Sequence, residues 1–474
     1  MQAHTENLSQ LLEFLESRFL LSGTADLAHT FANLSRPEYL AVSATIGSKA
    51  YFIGGHNSYG DSETYSSAVD VYDFPTGQWT TRGIGTFGAT GYSATLANKI
   101  VSAGNPGYSI YNADTGTIAV LKIPSSVITS VLVRVGDRLL LAGEDTARLF
   151  KNVAYISDKT AERWYPVKVP LKFVDGPAVR VGTKIIVAGS NFYYELRTGK
   201  WIRFTGIDST FGYGSATTVG TKALFTNSSG EVSIFDDLTG QWTVTRLSQQ
   251  RYLPAATTVG TKAIFAGGDR GTLPTPDSDV VDVYDAATNL WSTTTLASAR
   301  HYISVTTVGN QAIFAGGASF DHPRILAADN LATSAVDIFT DTAPAAVLSA
   351  GLTGRPGHTV TVQLFNTGDA PLASNAGVKI YATHARGIID GSSTLLGSNS
   401  TTSPLAASDN RTLRIPTKIP STLASGRYYL VAAVDDGRTV TPVASADSPF
   451  KVTAKATPAV RHAIAGAFTR LFRR

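Results

Sequence analysis

Short runs in which apolar and polar residues alternate recur along the chain: Val69-Asp-Val-Tyr-Asp73, Val232-Ser-Ile-Phe-Asp236, Val281-Asp-Val-Tyr-Asp285 and Val336-Asp-Ile-Phe339. Alternation with period two marks strands with one buried face. Before each run comes an apolar strand that often ends in glycine, as at Gly54-Gly55, Gly143, Gly189, Gly267-Gly268 and Gly316-Gly317. After it, a turn such as Thr76-Gly77 or Thr239-Gly240 leads to a tryptophan. The repetition is direct where Thr257-Thr-Val-Gly-Thr-Lys-Ala-Ile-Phe-Ala-Gly-Gly268 returns as Thr306-Thr-Val-Gly-Asn-Gln-Ala-Ile-Phe-Ala-Gly-Gly317. The small residue of the first turn falls at Gly47, Ala97, Gly136, Gly182, Gly220, Gly260 and Gly309, with gaps from 38 residues (Gly182 to Gly220) to 50 (Gly47 to Ala97). Four strands in a unit of that length make a propeller blade, so seven markers predict seven blades.

All five tryptophans (Trp79, Trp164, Trp201, Trp242, Trp291) share one register, and Ile118 takes that place in unit two. A bulky ring that returns once per unit is read as packing between neighbouring sheets. Unit seven stops after Phe339 without its tryptophan strand. Residues 26–36 align without gaps to residues 288–298 and place His29 on Trp291, so residues near 28–34 are expected to supply the outer strand that closes the ring. Closure hides sheet edges that would otherwise pair with other chains. Residues 28–341 resemble the kelch-repeat family, whose units carry a Gly-Gly pair, a Tyr-Asp pair and a spaced Trp; the match is specific in units one, six and seven, and units two to five each lack some of the pattern. The resemblance implies a propeller of the galactose-oxidase central-domain type.

Past Asp341 the repeat ends, and a new alternation begins at Val360, Val362 and Leu364. Asn366-Thr-Gly368, Val378-Lys-Ile380, Leu395-Leu-Gly397, Leu413-Arg-Ile-Pro416, Gly426-Arg-Tyr-Tyr-Leu430 and Val434-Asp-Asp436 suggest about seven strands, the size of an antiparallel sandwich. This stretch resembles the bacterial cell-adhesion-related domain CARDB, with Ala446-Asp-Ser-Pro-Phe450 where an acidic, Asn-rich ending is usual. Leu15-Glu-Ser-Arg-Phe-Leu-Leu-Ser-Gly23 resembles the LEPR-XLL segment of planctomycete exported proteins, with Ser17 where proline is usual; the resemblance implies export without a standard leader. The expected organisation is an export segment at 1–23, the propeller at 24–343, the CARDB-like sandwich at 344–455 and a basic amphipathic tail at 456–474. The fold class is all-β, a seven-bladed kelch-type β-propeller followed by an Ig-like antiparallel β-sandwich.

Composition narrows the function. The chain has 474 residues, 43% hydrophobic and only 16% charged, with 43 glycines. Such a balance suits many short strands and turns. The formal charge is +4, yet six basic residues and no acidic one lie from Lys451 onward, leaving the remainder at −2. The body therefore offers no basic face for nucleic acid. The tail, with Val460, Ile464, Phe468, Leu471 and Phe472 near one helical face and arginines around it, suits peripheral contact with an anionic envelope. There is no cysteine. That removes disulfides and thiolate sites and also excludes the copper-radical oxidase implied by the kelch resemblance, whose cofactor joins a tyrosine to a cysteine.

The long connections after the second strand in units one, six and seven, neighbours around a closed ring, are where recognition is expected. They carry His56, Asn57, Tyr59 and Asp61; Asp269 and Arg270; and Phe320, Asp321, His322 and Arg324. Arg251, Tyr252, Arg300, His301 and Tyr302 approach the same face from the connections between units. Aromatic rings, arginines and carboxylates suit glycans through stacking and paired hydrogen bonds, and suit peptides equally. A repeated arginine can instead bond loop carbonyls. His56, His301 and His322 lack metal-site spacing, and Asp277 with Asp279 lacks the glycine and distal glutamate of a calcium loop, so no metal and no cofactor is expected. The reading is an exported, monomeric, non-enzymatic surface protein that binds a glycan or an extracellular protein. The alternatives are a sialic-acid mutarotase, which the kelch resemblance implies and which needs only an acid and a base beside a sugar ring, and a structural envelope scaffold.

Overall fold

Gly47, Gly136, Gly182, Gly220, Gly260 and Gly309 all adopt left-handed φ between 53° and 61°, and Ala97 takes φ 53° at the equivalent place. Each reverses the chain between the first two strands of a unit, which is why a small residue returns there. The computed structural model describes residues 27–453, apart from segments 58–64, 84–91, 105–106, 122–126, 146–150, 171–175, 191, 204–213, 272–276, 321–329, 375 and 408. The expected export segment and basic tail lie outside these residues.

Among the described residues there is no helix, and seven four-stranded antiparallel sheets follow one another. Unit one is Val42–Ile46, Lys49–Ile53, Ala68–Asp73 and Gln78–Gly83. Units two to five run from Tyr92–Leu96 to Thr117–Leu121, from Val127–Val135 to Trp164–Val167, from Ala178–Val181 to Lys200–Arg203 and from Ala216–Val219 to Gln241–Arg246. Unit six is Ala255–Val259, Lys262–Ala266, Val280–Asp285 and Leu290–Thr295. Unit seven joins Ser304–Val308, Gln311–Ala315 and Ala335–Asp341 to the N-terminal strand Leu27–Asn33, which pairs with Ala335–Asp341 over seven residues and sets His29 opposite Phe339.

The first strands of successive units lie side by side, and that of unit seven lies beside that of unit one. Hydroxyls stitch these joins: Ser43 Oγ donates to the Val305 carbonyl at 2.8 Å, Thr45 Oγ1 to the Thr307 carbonyl at 2.8 Å and Ser93 Oγ to the Ser43 carbonyl at 3.0 Å. Thr217 shares a hydrogen bond with Thr258 (2.8 Å) and Thr257 with Thr307 (2.9 Å). These hydroxyls satisfy polar groups where inner strands meet. The apolar clusters lie between units. Trp79 packs on a cluster of units seven and one (Phe52, Tyr72, Ile313, Ile338), Trp291 on one of units five and six, and Ile118 on one of units one and two.

Beyond Asp341, Leu348–Thr353, Thr359–Asn366 and Asn410–Pro416 form one sheet. A second contains Thr394–Ser400, Gly377–Thr383, Gly426–Asp435 and Val440–Ser445, with Phe450–Val452 paired to Gly426–Tyr428. Val360, Leu364 and Ile415 of the first meet Val378, Ile380 and Ala432 of the second in one core. Buried Asn366 fastens the corner: its amide donates to the Ala370, Leu405 and Ala406 carbonyls, and its carbonyl accepts from Val347 N and Gly368 N.

This second unit sits against the ends of units four to six that carry the first and third turns. Gly182 approaches Ala350 O, Gly220 lies against Val347, and the Arg180 guanidinium stands 4.4 Å from the Phe365 ring centroid. Lys184, almost buried, is bound by Asp237 at 2.6 Å and by Asp447 at 3.2 Å, and Arg386 reaches the Asp237 carbonyl and Asp447. Burial opposes the Lys184 charge, but the two carboxylates outweigh it and raise its pKa. Lys184→Met is expected to cost about 3 kcal/mol, because Asp237 is then left without its cation. Chemical denaturation should then show the C-terminal sheets unfolding in a separate, earlier transition; a single transition at the wild-type midpoint would refute the coupling.

Candidate functional site

The C-terminal sheets dock on one face; on the opposite face, among the described residues, second and between-unit connections meet. In units one, six and seven the residue after the paired glycines bridges back to the preceding connection. His56 and Tyr39 exchange two backbone hydrogen bonds (3.0 and 2.9 Å), as do Asp269 and Tyr252 (2.6 and 3.0 Å) and Ala318 and His301 (3.0 and 2.8 Å). The second glycine makes this possible. Gly55, Gly268 and Gly317 have φ of 106°, 107° and 112°, and a Cβ there would come within 3.0, 2.6 and 2.8 Å of the Tyr39, Tyr252 and His301 carbonyls. Next along the chain, Leu40, Leu253 and Tyr302 hold left-handed φ of 55°, 46° and 53°. A non-glycine residue in that region costs roughly 1–2 kcal/mol and persists only where surrounding bonds over-determine it.

These loops join into one network. Asp277 Oδ1 lies 2.7 Å from His301 Nδ1, and the His301 ring stands edge-on to Tyr302 at 4.4 Å. Tyr302 stacks near Tyr39 (6.1 Å), Tyr39 on His56 (5.2 Å), and His56 meets Tyr65 at 4.8 Å. A ladder of rings thus crosses from unit six through seven into unit one. Its base is buried, with Tyr39, His56 and His301 all below 9% exposed, while its edge is open at Tyr65 (47%); Leu253, beside Tyr252 in the chain, is also exposed (39%). Tyr252, Tyr302, Arg270, Asn57 and Asp269 are half-buried around it.

Two expected site residues take a different place. Arg251 and Arg300 are fully buried. Arg251 Nη2 donates to Asp282 Oδ2 at 2.6 Å and to the Phe265 carbonyl at 3.0 Å. Arg300 Nη2 meets Asp337 Oδ2 at 2.5 Å, and its other nitrogens reach the Gly316 and Ser298 carbonyls at 2.9 and 3.1 Å. They hold loops from inside and are corrected from ligand contacts to structural anchors. Tyr59, Asp61, Asp321, His322 and Arg324 lie outside the described residues. Phe320 ends the strand Ala318–Phe320, which pairs with Asn330–Ala332. Tyr39, Tyr65 and Leu253 were not foreseen. The alignment of Tyr39 with Tyr252 was the available signal.

The His301 and Asp277 pair has the form of an oriented general base, but an imidazole 2% exposed does not reach a substrate. Among the described residues no three His, Asp or Glu side chains converge to hold a metal. The arrangement can bind a ligand laid across the ring edges.

A model of the Kelch motif matches residues 39–82, which run from the ladder's Tyr39 to the end of unit one. The other units repeat its four-stranded antiparallel sheet, and the whole fits a kelch β-propeller. No curated protein matches the chain.

Proposed function

We propose that the chain is a binding protein, a seven-bladed propeller that grips an extended protein segment or a glycan across the sector of units six, seven and one. The observation that carries this is the ladder Tyr302, Tyr39, His56 and Tyr65, buried at its base and open at its edge. Aromatic edges beside half-buried polar groups suit such contacts. Kelch repeats in general mediate protein–protein interaction, which sets a protein partner first. The Ig-like sandwich, docked on the other face, would act as the display module. Export to the cell surface rests on the CARDB-like and LEPR-XLL-like resemblances.

Screening the full chain against a displayed peptide library and a glycan array tests the reading. Tyr65→Ala with Tyr252→Ala should weaken any hit at least tenfold, about 1.4 kcal/mol, and leave the melting midpoint near wild type because both rings are partly exposed. A ligand held equally well by the double variant refutes this site. Blank screens favour the scaffold alternative.

A further inference from the structure

Unit one departs from its sisters at one buried position. Glu38, Arg251 and Arg300 each precede the residue that bridges back to the glycine loop, and the carbonyls of Glu38 and Arg300 accept the equivalent amides of Gly317 (2.9 Å) and Gly268 (3.0 Å). Asp70, Asp282 and Asp337 are likewise equivalent, paired across the sheet with Phe52, Phe265 and Phe314. In units six and seven a guanidinium fills the space between these positions. Its shell is all oxygen: the Asp282 or Asp337 carboxylate, the Phe265 or Phe314 carbonyl, the carbonyl two residues before the arginine (Gln249 or Ser298), and in unit seven the Gly316 carbonyl.

In unit one that shell corresponds to Asp70 and the carbonyls of Phe52, Arg36 and Gly54, but the chain supplies a glutamate instead of a cation. A glutamate side chain ends where an arginine has only reached its Nε, so the guanidinium's volume is not filled by this side chain. Glu38 is 1% exposed and Asp70 2%. Neither carboxylate oxygen of Glu38 has a hydrogen-bond partner. Asp70 is anchored by Ser35 N and Oγ, each at 2.9 Å, and by Thr81 Oγ1 at 2.5 Å. Two buried carboxyl groups with no cation between them call for a neutralising partner.

We propose that a hard divalent cation of calcium's size occupies in unit one the place that a guanidinium occupies in units six and seven, held by Glu38, Asp70 and the surrounding main-chain oxygens. Oxygen-only donors of mixed carboxylate, carbonyl and hydroxyl type in an irregular array suit calcium; zinc prefers nitrogen and sulfur, and magnesium an octahedron rich in water. The ion would tie the connection that carries Tyr39 to the sheet of unit one, and so brace the ladder from beneath.

Melting of the full chain at pH 8, in 1 mM CaCl2 or in EDTA, tests this. With calcium the midpoint should rise by about 2–5 °C and saturate, and calorimetric titration should show one site. Glu38→Gln should lose the response. Glu38→Arg, which rebuilds the sister arrangement, should fold, melt at least as high as calcium-loaded wild type and ignore calcium. A midpoint untouched by calcium would mean that no ion fills the pocket, and a response retained by Glu38→Arg would put the ion elsewhere. Either result overturns the proposal.

Discussion

Replacing Arg300 by leucine is expected to destabilise the protein by about 3–5 kcal/mol, because it leaves the Asp337 carboxylate, fully enclosed, without its cation. The same change removes donors to the Gly316, Ser298 and Phe314 carbonyls. Arg300→Lys should recover only part, since an ammonium lacks the planar fork that serves several acceptors at once. The double variant Arg300→Leu/Asp337→Leu should be milder than the single one, because no charge is then stranded. The pH dependence adds a second signature. Burial raises the pKa of Asp337, but the His29 hydrogen bond and Arg300 outweigh burial and hold it below the usual 3.8. A depressed carboxyl contributes stability above the unfolded value that is lost as pH falls through the folded one. Urea midpoints from pH 2 to 6 should therefore drop on the acid side in wild type, and drop less in Arg300→Leu. A leucine variant with a wild-type midpoint would show that the buried pair is not formed.

Removing residues 27–33 is the second large effect. That strand gives Ala335–Asp341 its outer partner, and His29 both bonds Asp337 at 2.7 Å and stacks on Phe339 at 4.2 Å. Without it unit seven presents a bare edge, and its buried carboxylate keeps Arg300 alone. The loss is expected to rival the whole marginal stability of a domain, on the order of 5–15 kcal/mol, and the exposed edge invites association between chains. Size-exclusion chromatography should show aggregate in place of the wild-type peak, and a synthetic peptide of residues 24–36 added during refolding should restore that peak. A truncated chain that melts and elutes like wild type would refute the role of this strand in closure.

The repeat made much of this architecture legible. Gly47, Gly182 and Gly260 announce the tight turns, and the tryptophans announce packing between sheets, because both requirements return with each unit. His29 could be placed opposite Phe339 from the alignment of residues 26–36 with 288–298, since a strand that completes a repeated sheet must carry that sheet's pattern. The site was legible only as a sector. Arg251 and Arg300 looked like ligand-facing arms because residue type alone does not separate a solvated arginine from a buried one. Their co-occurrence with Asp282 and Asp337 in the alternating strands was the available clue, and Glu38 beside Asp70 stands out only against it.

What the sequence by itself determined is periodic and local: strand alternation, turn glycines, the ring that returns once per unit, and the absence of cysteine chemistry. These follow from backbone stereochemistry and from the one buried face of each strand, which act over a few residues. Only the tertiary structure decided that the two arginines lie inside, that Tyr302, Tyr39, His56 and Tyr65 form one ladder, and that the C-terminal sheets dock through Lys184 on the face away from it. Each of these depends on groups far apart in sequence, such as Arg386 and Asp237 or Leu40 and Tyr302. Their burial and pairing exist only once the sheets have assembled.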